Sequence, residues 1–170
     1  MIIAETNRLV LSKFTVEDAP FILELMNTPK WLRFIGDRHV KTVEDAANYL
    51  QNNQLKAYDN FDFGYYKAQL KNDNLKPIGS FGLLKRDTLD AVDIGFSLLP
   101  EYEGQGYGLE GATAVMNLAK TKFDIKKLCA ITLPENKASI HLLEKLGLSY
   151  QKSVKPFDND EELLLFAKDL

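Results

Sequence analysis

Along the first half of the chain the spacing of apolar positions changes twice. Arg8 to Phe14, RLVLSKF, alternates well enough for a strand. Thr15 then reads as an N-cap with Asp18 three residues on. Phe21, Ile22, Leu25 and Met26 follow at helical spacing until Asn27 and Pro29 end the helix. The segment WLRFIGDRHV is irregular and rich in large side chains. Thr42, with Asp45 at the third position, opens a second helix over about 43–54.

The middle of the chain switches to short β-like runs, FDFGYYKAQL, PIGSFGLLKR and AVDIGFSLL, separated by the turn-like KNDNLK and DTLD. Short links favour antiparallel pairing, because a parallel return needs a crossover. A meander is therefore predicted. Beyond a glycine-rich stretch, Leu109, Ala112, Met116 and Ala119 mark a helix to about Lys122. Leu128 to Leu133, LCAITL, is the next strand. Asn136 to Leu146 is a helix stopped by Gly147, and SYQKSV and ELLLFA read as closing strands. This is an α+β (mixed α/β) pattern. No repeat, linker or low-complexity segment divides it, so residues 1–170 are predicted to form one domain.

Composition narrows the picture only modestly. The 45% hydrophobic and 26% charged content is that of a soluble globular protein. No stretch approaches the roughly 18 apolar residues of a membrane span. The start, MIIAETNRLVL, lacks a basic head, a long apolar run and a small-residue cleavage site, which predicts a cytoplasmic protein. Cys129 is the one cysteine, so no internal disulfide is available and no Cys-based metal site is expected. A net charge of -3 argues against broad nucleic-acid binding. No membrane partner is expected either.

The chemistry concentrates in EYEGQGYGLEG, Glu101 to Gly111, with four glycines in eight residues. A P-loop needs a Lys-Ser or Lys-Thr after its last glycine, and none follows. A dinucleotide fingerprint, G-x-G-x-x-G from Gly106, has a strand before it and a helix after it. Glu135 lies 24 residues beyond Gly111, where a ribose-binding acid sits. Against it, the preceding strand alternates Val92, Ile94, Phe96 and Leu98 with Asp93, Gly95 and Ser97. A strand buried on both faces would be continuously apolar. Only 59 residues follow Gly111, too few for a doubly wound sheet. The third reading is a pyrophosphate turn whose backbone N–H groups, from Gly104 to Leu109, meet one ligand. Glycine removes the Cβ that would block the approach, and the following helix N-terminus favours the anion. It predicts a later helix with polar groups for the rest of the cofactor. Asn136, Ser139 and Leu143 stand on one face of such a helix.

The turn at Glu103 to Gly108 and the segment ENKASIHLLEKLGL resemble the [QR]-x-x-G-x-[GA] and N-x-x-[AS]-x-x-L-x-E-K-x-G-F motifs of the GNAT (GCN5-related) N-acetyltransferases. The likeness is to the type that includes the ribosomal-protein-alanine acetyltransferases (RimJ/RimL type). AETNRLVLSKFTVEDA resembles the usual start of such chains, and FIGDRHVKTVEDAANYL the acceptor-side helices. The resemblance implies the GNAT fold: a central, mostly antiparallel sheet of about six or seven strands, a β-α-β acetyl-CoA-binding unit and about four helices. It implies transfer of acetyl from acetyl-CoA to a primary amine, on a small molecule or a peptide N-terminus, by direct attack in a ternary complex. A monomer or homodimer and no metal are expected.

The resemblance further implies that the strand before the turn splays from its neighbour. Backbone groups of Phe96, Ser97 and Leu98 would then hold the pantetheine and the thioester. Glu103, Gly104, Gln105, Gly106, Tyr107, Gly108 and Leu109 would hold the pyrophosphate, and Asn136 and Ser139 the pantetheine arm. Asp93 is the candidate base, because it is a carboxylate on the polar face of that strand; the plainer reading is a solvated or ion-paired residue. Ser139 is the candidate acid or thiolate donor. Two residues depart from the motifs. Glu103 stands where the family keeps Arg or Gln, so it must face solvent or be offset by a cation. Leu143 stands where many members keep an acidic Tyr, which leaves a non-catalytic acyl-CoA-binding module as the alternative. Trp31, Arg33 and Phe34 either line the acceptor pocket or pack the two N-terminal helices onto the sheet. His39, His141 and Cys129 read as two surface residues and a core residue.

Overall fold

The computed structural model describes all residues, 1–170, and contains one eight-stranded sheet in the order β1-β2-β3-β4-β5-β6-β8-β7. The strands are β1 (Ile2–Glu5), β2 (Leu9–Lys13), β3 (Tyr65–Leu70), β4 (Pro77–Leu84), β5 (Val92–Leu98), β6 (Lys127–Thr132), β7 (Ser149–Val154) and β8 (Leu163–Asp169). β3 to β5 form the predicted antiparallel meander, which β2 and β1 extend on one side, with four helices inserted between β2 and β3. Only β5 and β6 pair in parallel, and the helix between them supplies the crossover that such a return requires.

The helices are α1 (Ala19–Met26), α2 (Pro29–Phe34), α3 (Val43–Tyr49), α4 (Lys56–Phe61), α5 (Tyr107–Thr121) and α6 (Lys137–Lys145). A π-helical segment, Leu50–Leu55, joins α3 and α4 into one rod. The sheet has one strand more than expected and the helices are also more numerous. β1 is short and half-exposed, with a bulge in its pairing to β2, so its sequence carries little alternation. Pro29, expected only to end α1, also opens α2 at its first position, where a missing N–H does no harm. The rod runs on to Phe61, past the predicted end near residue 54.

The two faces of the sheet carry separate cores. On one, α5 and α6 pack on Leu9, Tyr66, Ile78, Phe81 and Ile94, with Leu143 buried among them. On the other, α1 and α3 gather Phe14, Ile22, Leu25, Ala46 and Leu50. Thr42 caps α3 reciprocally: Asp45 N–H donates to Thr42 Oγ1, and Thr42 N–H to Asp45 Oδ2, both at 3.0 Å. Cys129 is buried in β6, and His39 and His141 are exposed, as expected.

Candidate functional site

The site begins where β5 leaves β6. Their pairing covers only Val92 with Leu128 and Asp93 with Cys129, although β5 continues to Leu98 and β6 to Thr132. A wedge therefore opens beyond Asp93. Leu99 N–H donates to the Ile78 carbonyl at 2.8 Å, which fixes the alternation along β5. By that alternation the backbone groups of Gly95 and Ser97 face β4, and those of Phe96 and Leu98 face the wedge. The side chains divide the other way. Ile94, Phe96 and Leu98 pack on the core beneath α5, and Asp93, Gly95 and Ser97 face the side of α1 and α3.

The glycine turn closes one end of the wedge. Gly104 and Gly106 have φ of +70° and +84°, conformations that suit glycine, and Gly106 caps α5. Glu103 N–H is taken by the Pro100 carbonyl and Glu110 N–H by the Gly106 carbonyl. Between them no N–H from Gly104 to Leu109 has a partner in the protein. Six adjacent free donors at the N-terminus of a 15-residue helix make an anion cradle. On α6, Asn136 Oδ1 accepts from Ser139 N–H at 3.2 Å, so Asn136 caps that helix, while its amide nitrogen and the Ser139 hydroxyl have no protein partner. Leu143 is in the core, and position 143 offers no acid.

Asp93 is only 3% exposed. One carboxylate oxygen, Oδ2, accepts from Arg86 Nε at 2.8 Å, and the other has no protein partner. Burial pushes its pKa up to about 6, against the pull of the Arg86 guanidinium. Beside it, burial and the Asp93 charge raise the Cys129 thiol to about 12, which keeps it neutral.

The Acetyltransferase (GNAT) domain model matches residues 8–149. The chain belongs to the GNAT acetyltransferase family. An "uncharacterized N-acetyltransferase YoaA" of Bacillus subtilis (strain 168) is 23% identical over 156 residues, 91% of this chain and 87% of that protein. Among solved structures, a RimL ribosomal L7/L12 alpha-N-protein acetyltransferase in complex with coenzyme A superposes with a TM-score of 0.84 at 19% identity. That match covers 100% of this chain and 98% of the other. An acetyltransferase of Salmonella typhimurium that modifies the N-terminal serine of ribosomal protein L7/L12 gives 0.83 at 18%, covering 100% and 99%.

Within this GNAT domain, Glu110, whose place in the first turn of α5 suits it to the helix dipole or to ordering the loop, holds the donor turn together with two side chains that the sequence does not point to, Arg8 and Lys30. Glu110, in the first turn of α5, accepts from Thr6 Oγ1 at 2.6 Å, Arg8 N at 2.8 Å and Arg8 Nε at 2.6 Å. Arg8 Nη1 donates to the Gln105 carbonyl at 2.9 Å, and its guanidinium stacks 4.1 Å from the centre of the Tyr107 ring. The start of β2 thereby clamps the turn and α5 together. The third is Lys30 of α2, which pairs with Glu103. The acid at the head of the turn is thus offset by a cation, one of the two outcomes its sequence required.

The GNAT domain has a second opening, bordered by α2 and the segments after β6 and before β8. Arg33 and Phe34 of α2, Leu133 to Glu135 after β6, and Glu161 and Glu162 before β8 line a cavity of about 520 Å³. Trp31 is not in it and packs against the core of α1 and α3. No group of His, Cys, Asp and Glu is arranged to hold a metal ion, and no helix is long and apolar enough to cross a membrane.

Proposed function

We propose that this GNAT acetyltransferase moves the acetyl group of acetyl-CoA to a primary amine by direct attack in a ternary complex. The observation that carries the reading is the pairing of the β5–β6 wedge with six free N–H groups at the head of α5. A pyrophosphate fits the turn from Gly104 to Leu109, with Gln105 and Tyr107 contributing backbone donors. A pantetheine arm, which carries amide groups, fits the free backbone of Phe96 and Leu98. Asn136 and Ser139 offer polar groups from the facing helix. Ser97, whose backbone pairs with β4, serves as strand rather than as ligand.

Asp93 takes the proton that an ammonium must lose before it attacks a thioester. A carboxyl near pH 6 is closer to that task than an ordinary aspartate near about 3.9. The neutral, buried Cys129 is no nucleophile, which favours direct attack over a covalent enzyme intermediate. Ser139 serves the departing thiolate as a hydrogen-bond donor. The cavity bordered by Arg33 and Phe34 admits the acceptor, and the RimL-type neighbours make a peptide N-terminus one class to screen.

The test is thiol release from acetyl-CoA against a panel of amines and peptide N-termini, with calorimetry of coenzyme A binding. Binding without turnover on any amine would favour a non-catalytic acyl-CoA module. Absence of binding would remove the reading altogether. Calorimetry also tests the turn's odd acid. Glu103→Gln removes a carboxylate beside the phosphate site and frees Lys30, so it is expected to bind acetyl-CoA at least as tightly as the parent. A large loss of affinity would show that Glu103 itself contacts the cofactor.

A further inference from the structure

Asp93 is nearly sealed from solvent, yet an amine must hand it a proton. What lies next to it is Tyr65. β3 pairs Tyr65 with Gly82, and β4 pairs Gly82 with Gly95, so the three residues are in register across three strands. The tyrosine side chain crosses β4 and ends over Gly95. A Cβ built on Gly95 would stand 1.9 Å from Tyr65 Oη. Glycine at 95 is thus what makes room for the hydroxyl. Gly95 and Asp93 are two residues apart and share a face of β5. Tyr65 alternates with the core residue Tyr66 and packs on the opposite side, against the cluster of α1 and α3.

The backbone of Tyr65 is anchored, since the Tyr58 hydroxyl donates to its carbonyl. No hydrogen bond within the protein involves the Tyr65 hydroxyl or Asp93 Oδ1, and neither atom is wholly cut off from solvent. Burial and the Asp93 charge both hold the phenol above its ordinary pKa, so it stays protonated. A protonated hydroxyl can still carry a proton, because it accepts at its lone pair while donating its hydrogen.

We propose that Tyr65 is a catalytic proton relay between the acceptor amine and Asp93. This rests on the acetyl-transfer reading above. One proton of the ammonium passes to Tyr65 Oη as the hydroxyl hydrogen passes, through a bridging water, to Asp93 Oδ1. The freed lone pair forms the C–N bond. The C–S bond breaks with its electron pair on sulfur, and the thiolate takes the second nitrogen proton. Asp93 returns its proton to solvent between turnovers.

The deciding measurement is a double-mutant cycle on kcat. Tyr65→Phe removes only the oxygen and is expected to lower kcat by about 100-fold, the lower end of what a general acid–base step supplies. Coenzyme A affinity and Tm should stay at the parental values. Because the two residues act on one proton, Tyr65→Phe/Asp93→Asn should be no slower than Asp93→Asn alone. The parental solvent isotope effect should need more than one proton in flight, and that of Tyr65→Phe fewer. Parental kcat in Tyr65→Phe, or losses that multiply in the double variant, would overturn the relay while leaving acetyl transfer intact. A parent that binds no coenzyme A and acetylates no amine would overturn both, and is recognised before any variant is made.

Discussion

Asp93→Asn is expected to lower kcat by about 100-fold or more while leaving the affinity for acetyl-CoA unchanged. The side chain lies on the face of β5 away from α5 and α6, so its loss leaves the donor turn and the wedge backbone untouched. What disappears is the one buried carboxylate beside the point where β5 and β6 part. The pH profile makes the assignment specific. Below about pH 6 the parental carboxyl is protonated and has no capacity to accept a proton, so kcat/KM should rise through that value. That limb is separable from ionisation of an α-amine acceptor, which lies near about 7.7–8.0. Arg86→Gln removes the cation that holds the carboxyl down, so the acid limb should move to higher pH. Unaltered turnover in Asp93→Asn would remove this residue from the mechanism.

Stability supplies an independent check on the same group. Burial raises the folded-state pKa of Asp93 above the unfolded one. The protonated form is therefore favoured in the fold. Its contribution is fully present below the unfolded pKa, and is lost as pH rises through about 6. The parent should thus show a fall in Tm between pH 4 and pH 7 of which one component is missing in Asp93→Asn. A variant with reduced kcat and the parent's Tm at pH 8 has lost chemistry rather than fold.

The parts of this molecule legible in its sequence are those set by local rules. Alternation located β2 and β5, short β-like runs between turn residues located the other strands from β3 to β8, the capping residues Thr42 and Asn136 marked helix starts, and the glycines marked the turn. Two motifs on successive βα units then pointed to the donor site. The parts that were not legible depend on register and on distant partners. Arg8 and Glu110 are 102 residues apart, and Lys30 and Glu103 are 73 apart. Nothing in either segment announces the other. Tyr65 is in the same position: its meaning comes from Gly82 and Gly95 falling opposite it, and a shift of one residue in either pairing would turn its ring to the other face. For Trp31 the packing alternative is the one realised: it joins the helical core, whereas Arg33 and Phe34 border the second cavity.

Gly106→Val is expected to weaken acetyl-CoA binding by about 100-fold, equivalent to losing roughly two charge-assisted hydrogen bonds of about 1.5 kcal/mol each. At φ +84° a β-branched residue is strained, and relieving the strain rotates the peptide planes of the turn. The new Cβ would also stand 3.1 Å from Arg8 Nη2, disturbing the guanidinium that braces the Gln105 carbonyl. Either movement scatters the N–H groups that must meet one ligand. Two further variants separate ligand binding from folding. Gly147→Ala carries a similar conformational penalty at φ +87° on the far end of α6, and should lower Tm without changing the dissociation constant. Gly104→Ala, at φ +70°, carries the same kind of conformational penalty but places its methyl in open space, so a loss of affinity beyond the effect of Gly147→Ala reports on an incoming pyrophosphate. If Gly104→Ala and Gly106→Val both bind coenzyme A as the parent does, the six free donors face something other than a phosphate, and the wedge would have to be filled by a different cofactor.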